Sequence, residues 1–141
     1  MKVFDTLGAG NFSPDKSLHG CRILVVEDEV LIALTAQDML TDAGAAHVVI
    51  ATRASEAADH LCGTDPFDGA IIDLNLGNGC DSSVASIAVG RGVPVVFATG
   101  YGRVADLPAD FAAVPIVSKP YTGDMLVSAL WDAMRRPANV G

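Results

Sequence analysis

Residues 22–29 read Arg-Ile-Leu-Val-Val-Glu-Asp-Glu, an apolar run of mostly branched residues that ends abruptly in three acids. A continuous apolar run, rather than an alternating one, is the pattern of a strand buried on both faces of a parallel sheet. Working outward, the same pattern recurs. Residues 47–51 form a second short strand and 68–73 (Asp-Gly-Ala-Ile-Ile-Asp) a third. Residues 93–99 (Val-Pro-Val-Val-Phe-Ala-Thr) form a fourth and 114–117 a fifth.

Helical segments lie between most of these strands. Val30, Leu31, Leu34, Met39 and Leu40 give residues 29–43 a helical rhythm, with Gly44 placed to close the helix. Ser55 is positioned to cap a helix running to Leu61, and Asp81 one running to Val89. Residues 122–135 form the last helix. The interval 100–113 holds Gly100, Gly102 and Pro108 with little periodicity, so its helix is expected to be short or absent. Strands alternating with helices predict βαβ units and an α/β fold. Five strands suit a flavodoxin-like, doubly wound parallel sheet of order 2-1-3-4-5. The regular region spans residues 21–136, preceded by a Gly/Asn/Ser-rich tail or linker at 1–20 and followed by a short tail at 137–141.

Bulk properties narrow the function. Of 141 residues, 50% are apolar, enough for one core, and the net charge of −8 argues against nucleic acid as a direct partner. Cys21, Cys62 and Cys80 are odd in number and show no C-x-x-C spacing, as expected of thiols in a reducing compartment. No apolar run reaches the length of a membrane span, and the first residues lack a signal-peptide core, so a cytoplasmic protein with no membrane partner is expected. His19, His47 and His60 are scattered and fall at no predicted crevice.

In a doubly wound sheet the ligand crevice lies outside the carboxyl ends of the strands. The sequence places Glu27 and Asp28 after strand one, Asp73 at the end of strand three, Thr99 at the end of strand four and Lys119 after strand five. Three carboxylates brought together repel one another unless a hard cation joins them, and an all-oxygen set favours Mg²⁺. Lys119 and the Thr99 hydroxyl could then hold phosphoryl oxygens, with Asp73 as a carboxylate nucleophile. Each residue alone has a plainer reading. Glu27–Glu29 could be an acidic helix start, Asp73 a loop-starting Asp bonded to following backbone, Thr99 a satisfied strand end and Lys119 a solvated charge. Glu29 keeps its plain reading.

Four motifs, in order and each at a strand end, resemble the CheY-like receiver domain of two-component response regulators: V-V-E-D-E at 25–29, I-I-D-L-N at 71–75, F-A-T-G-Y at 97–101 and S-K-P-Y at 118–121. The resemblance covers residues 21–136. It implies that Asp28 binds the metal directly, Glu27 through water, and that the backbone carbonyl of Asn75 completes the metal shell. Asp73 matches the phosphoacceptor, Thr99 the switch hydroxyl, Lys119 the site lysine and Pro120 the proline after a cis peptide bond. Gly100 and Tyr101 fall where the family tunes phosphoryl lifetime. Ile116 stands where many receivers carry a switch aromatic, and Tyr121 where Phe is commoner. Phe-Ala-Thr-Gly-Tyr-Gly at 97–102 resembles the narrower FATGUY-type receiver subgroup.

The resemblance implies a phosphoryl donor that is a histidine kinase or histidine phosphotransfer protein, output by protein–protein contact, and a monomer or weak dimer. The domain would catalyse its own phosphorylation and dephosphorylation without being a conventional turnover enzyme. Two other readings compete: a phosphate sink or unphosphorylated interaction module, and a small phosphohydrolase. The last lacks a second acid–base Asp, because Leu74 and Asn75 follow Asp73.

Overall fold

The structure is a computed structural model that describes residues 17–75, 83–100 and 111–135. Five strands, β1 (Arg22–Val26), β2 (His47–Ala51), β3 (Gly69–Asp73), β4 (Val95–Gly100) and β5 (Ile116–Lys119), form one parallel sheet of order β2-β1-β3-β4-β5. Helices α1 (Val30–Asp42), α2 (Ala54–Leu61), α3 (Ser83–Gly90) and α4 (Gly123–Arg135) cover its two faces. This is the flavodoxin-like α/β arrangement expected from the sequence.

Alternation along the strands divides the core in two. Leu24, Val26, Ala70, Ile72, Val95 and Phe97 point to the α2/α3 side. Ile23, Val25, Ile71, Val96 and Ala98 point to the α1/α4 side. All five residues of β3 are buried, as a central strand covered on both faces requires.

Several expected boundaries move. The fifth strand, expected at 114–117, runs from Ile116 to Lys119. A turn closed by the Val114 N–H donating to the Phe111 carbonyl (3.1 Å) occupies the residues before it. The ladder to β4 begins only where Phe97 N–H donates to the Pro115 carbonyl, at 2.9 Å. Lys119 is therefore the last residue of the ladder, paired with Gly100. Ser55 does not cap α2. The cap position belongs to Arg53, and the Glu56 carboxylate reaches back to accept the Thr52 N–H at 2.7 Å. The helical rhythm of α1 does not coincide with its buried face. Val30, Leu31 and Leu34 are exposed, while Ala33, Ala36 and Leu40 face the core.

Gly44 closes α1 as expected, with φ of 108° in the left-handed region that favours glycine. Among the described residues, the chain is already packed before the expected domain start at Cys21. Leu18 is fully buried, its N–H donates to the Ala43 carbonyl at 2.9 Å, and Trp131 Nε1 donates to the Ser17 carbonyl at 3.2 Å. Asp81, Cys80 and all but the edges of the 100–113 interval lie outside the described residues, as do residues 1–16 and 136–141. Among the described residues no helix is long and apolar enough to cross a membrane, and Cys21 and Cys62 are free thiols.

Candidate phosphoacceptor and cation site

The sheet register assembles the site. Val26 of β1 pairs with Ile72 of β3, so the chain leaves β1 at Glu27 beside Asp73. Asp73 pairs with Ala98, and Thr99 and Gly100 pair with Ser118 and Lys119. Every predicted crevice residue thus arrives at the same edge through strand alignment alone.

Glu27 and Asp73 are both only 2% exposed. Lys119 sits between them, its Nζ 3.0 Å from Glu27 Oε1 and 3.2 Å from Asp73 Oδ2. Two backbone amides hold the carboxylates in place from the other side. Glu29 N–H donates to Glu27 Oε2 at 3.1 Å, and Asn75 N–H donates to Asp73 Oδ1 at 2.9 Å. The second bond is the local turn of the plain reading of Asp73, and it serves the functional one by fixing the carboxylate. Asp28 is exposed and completes a group with Glu27 and Asp73 in which one oxygen from each lies within 4.8 Å of the others.

The electrostatics are unbalanced toward negative charge. Burial pushes the Glu27 carboxyl up to about 7, against the hydrogen bonds from Lys119 and Glu29, and the Asp73 charge adds to the rise. Burial by itself would lower the Lys119 ammonium; the hydrogen bond to Glu27 and the charges of Asp73 and Glu27 outweigh it and hold Lys119 above its ordinary value. A three-carboxylate oxygen set facing one ammonium, with one carboxyl driven toward its neutral form, has the donor chemistry of a Mg²⁺ site. Glu27, Asp28 and Asp73 would hold the ion.

Thr99 is buried, but its hydroxyl donates to the neighbouring Gly100 carbonyl at 3.2 Å. Gly100 itself lines the site cavity. Ile116, at the position of the switch aromatic, is partly exposed on the edge strand. The Lys119–Pro120 peptide bond is cis. Tyr101 lies outside the described residues.

Sequence reasoning missed the cavity that opens from the acids. About 720 Å³ in volume, it runs from Asp28, Asp73 and Lys119 to Leu31, Ile32 and Met39 of α1 and to Tyr121 after β5. The spacing of Ile32, Thr35 and Met39 along one helix face was the available signal; nothing in the sequence alone said that this face borders the site.

The fold and the strand ends define a flavodoxin-like α/β module with a cluster of three carboxylates at its carboxyl edge. Its solved structural neighbours are response regulator receiver domains, and the chain has the receiver-domain fold. It is similar to the N-terminal domain of a response regulator/sensory box/GGDEF three-domain protein from Carboxydothermus hydrogenoformans, at 29% identity and a TM-score of 0.72, covering 81% of this chain and 94% of that one. It is also similar to SdrG from Sphingomonas melonis Fr1, at 33% identity and a TM-score of 0.67, covering 79% and 97% of the two chains. A response regulator receiver protein from Sinorhizobium medicae WSM419, at 24% identity and a TM-score of 0.68 over 84% and 97%, shares the fold. No protein-family model and no curated protein sequence matches the chain.

Proposed function

We propose that this protein is a two-component receiver that accepts a phosphoryl group on Asp73. The observation that carries the reading is the placement of a buried strand-end carboxylate, Asp73, 3.2 Å from a lysine that also bonds Glu27, inside a three-carboxylate cluster. Phosphoryl transfer is catalysed mainly by positioning and charge neutralisation, and this set supplies both.

An Asp73 oxygen attacks phosphorus, and the bond from phosphorus to the donor breaks. The Asn75 amide holds the carboxylate as it does so. Once Asp73 carries the phosphoryl group, Lys119 is placed to bind a phosphoryl oxygen in exchange for its present contact. Mg²⁺, when bound by Glu27, Asp28 and Asp73, would supply further neutralisation of the phosphoryl charge. The Thr99 hydroxyl, which donates to the Gly100 carbonyl, would turn toward the phosphoryl group. Ile116 cannot act as a swinging aromatic, so signalling here would rely on that Thr99 movement and its Gly100 neighbour.

The donor in this reading is a histidine kinase or histidine phosphotransfer protein of the cytoplasm. Val30, Leu31 and Leu34, exposed on α1 next to the acceptor, support a protein donor, since clustered exposed apolar residues mark contact surfaces. Output would be protein–protein contact. Phe97–Gly102 supports assignment to the FATGUY-type subgroup. Phosphorylation and its hydrolysis would be self-catalysed, without turnover of a separate substrate.

The test is incubation with Mg²⁺ and acetyl phosphate or beryllofluoride, read by intact-mass spectrometry and by shifts in amide spectra. One phosphoryl adduct is expected, absent in Asp73→Asn and in EDTA. No adduct and no spectral change would sink the proposal in favour of an unphosphorylated interaction module. Steady turnover of a small phosphate ester would instead favour a phosphohydrolase.

A further inference from the structure

The cavity lining combines two chemistries. It includes the charged Asp28, Asp73 and Lys119 and the apolar Leu31, Ile32 and Met39, with Tyr121. Its volume of about 720 Å³ is that of a small-molecule pocket. A phosphoryl group held at Asp73 and Lys119 leaves far more space than it fills. Ile32 and Met39 are half-buried and Tyr121 buried, so these apolar lining residues form a packed wall of the groove.

We infer that this groove receives the leaving group of the phosphoryl donor, and that the acceptor selects acyl phosphates bearing an apolar acyl chain over acetyl phosphate. The inference rests on the acceptor reading of Asp73 and adds the identity of the preferred small-molecule donor class. The continuity of the groove with the acceptor argues for this occupant: whatever is bonded to the phosphorus must project from Asp73 into the cavity that Asp73 lines.

The step balances without a further reactant. An Asp73 carboxylate oxygen forms a bond to phosphorus, the bond from phosphorus to the acyl oxygen breaks, and the electron pair leaves with the carboxylate. No proton or electron is exchanged. The Tyr121 phenol is held above its ordinary value by burial and by the Glu27 charge, so it keeps its proton and can donate a hydrogen bond to a departing carboxylate. The chain of the acyl group lies against Leu31 and Ile32.

The magnitude follows from methylene burial. Butyryl phosphate carries two methylenes more than acetyl phosphate, and the two leaving carboxylates are nearly equally basic. Burying both methylenes in the groove predicts a second-order rate about tenfold higher for the butyryl donor.

The experiment measures adduct formation on the whole protein with Mg²⁺ and each donor in parallel, by intact mass, in the native protein and in Leu31→Ser and Ile32→Thr. Leu31 is 79% exposed, so its replacement leaves the fold in place, and Ile32→Thr keeps the branched shape. The expected result is a butyryl-to-acetyl rate ratio of about ten that drops toward one in both variants. Equal rates in the native protein, or a ratio unchanged by both substitutions, would overturn the inference while leaving Asp73 as the acceptor. No adduct from either donor would overturn the acceptor reading beneath it.

Discussion

Helices α1 and α4 are both 13 residues long and lie on the same face of the sheet, yet they are built in opposite ways. Helix α4 buries Leu126, Leu130 and Ala133 and has Asp124 in its first turn and Arg135 in its last, complementing the helix dipole. The Thr122 hydroxyl caps it by accepting the Met125 N–H at 3.1 Å. Helix α1 buries Ala33, Ala36 and Leu40 and turns Val30, Leu31 and Leu34 outward. Its cap position, Glu29, makes no side-chain capping bond, and its first and last turns carry no charges matched to the dipole. The contrast separates two jobs. Helix α4 is built to hold the fold, while α1 gives up local stabilisation and keeps the large apolar side chains of Val30, Leu31 and Leu34 on the surface.

The largest effects should appear where that contrast is attacked directly. Leu126→Ala and Leu130→Ala each remove a fully buried side chain and should cost about 2–5 kcal/mol, while Leu31→Ala should change stability by less than about 0.5 kcal/mol. Urea unfolding midpoints, at unchanged slope, measure both. A large loss at Leu31 would mean that α1 packs its outer face after all and would remove the division of labour.

A second test uses the way each helix starts. Helix α4 begins at a hydroxyl cap, but α1 begins at the acidic cluster, where Glu29 N–H bonds the Glu27 carboxylate. Glu27 has its carboxyl raised from 4.5 to about 7 in the folded protein, mainly by burial. A raised carboxyl means that the folded state holds a proton that the unfolded state has already lost. Stability without metal should therefore fall as pH rises through 4.5 to about 7, and level off above it. Metal ligands must be deprotonated, so Mg²⁺ affinity should climb over the same rise and reach its plateau above about pH 7. Unfolding midpoints and Mg²⁺ titrations across this range decide the matter. Glu27→Gln should flatten both profiles; a metal-free midpoint that rises with pH would contradict the assigned burial of Glu27.

These contrasts also explain what the sequence could and could not convey. Strands β1 and β3 were legible because an apolar run that ends in an acid has one reading in a parallel sheet, and their ends carried Glu27 and Asp73 with them. The start of β5 was not, because Pro115 and the Phe111 turn look as apolar as the strand. Helical rhythm alone did not say which side chains of α1 face the core. Val30, Leu31 and Leu34 share that rhythm with Leu40, yet only Leu40 of these is buried, together with Ala33 and Ala36. Alanines allow the helix to approach the sheet closely, a preference visible only once the sheet is in place. The Thr99 hydroxyl bond to Gly100 depends on a side-chain torsion, about which the sequence is silent. Leu18 stands alone among polar and glycine neighbours, so no pattern announced its burial.

The smallest effect concerns Trp131 of α4, which packs partly buried against the α1/α4 core. Trp131 Nε1 donates to the Ser17 carbonyl, fastening the segment that buries Leu18 against the end of α1. Trp131→Phe keeps the ring and removes the donor, so the cost should be that of one hydrogen bond, about 1 kcal/mol. The readout that separates this from general destabilisation is hydrogen exchange at the Leu18 amide, which donates to Ala43. That amide should lose protection more than the amides of β3, whose residues are buried on both sides. Equal losses at both places would mean that Trp131 supports the whole domain, and that α4, for all its burial, does not clamp this segment. Selective loss at Leu18 would extend the difference between the two helices: α4 fastens a neighbouring segment of its own chain, and α1 leaves Val30, Leu31 and Leu34 exposed.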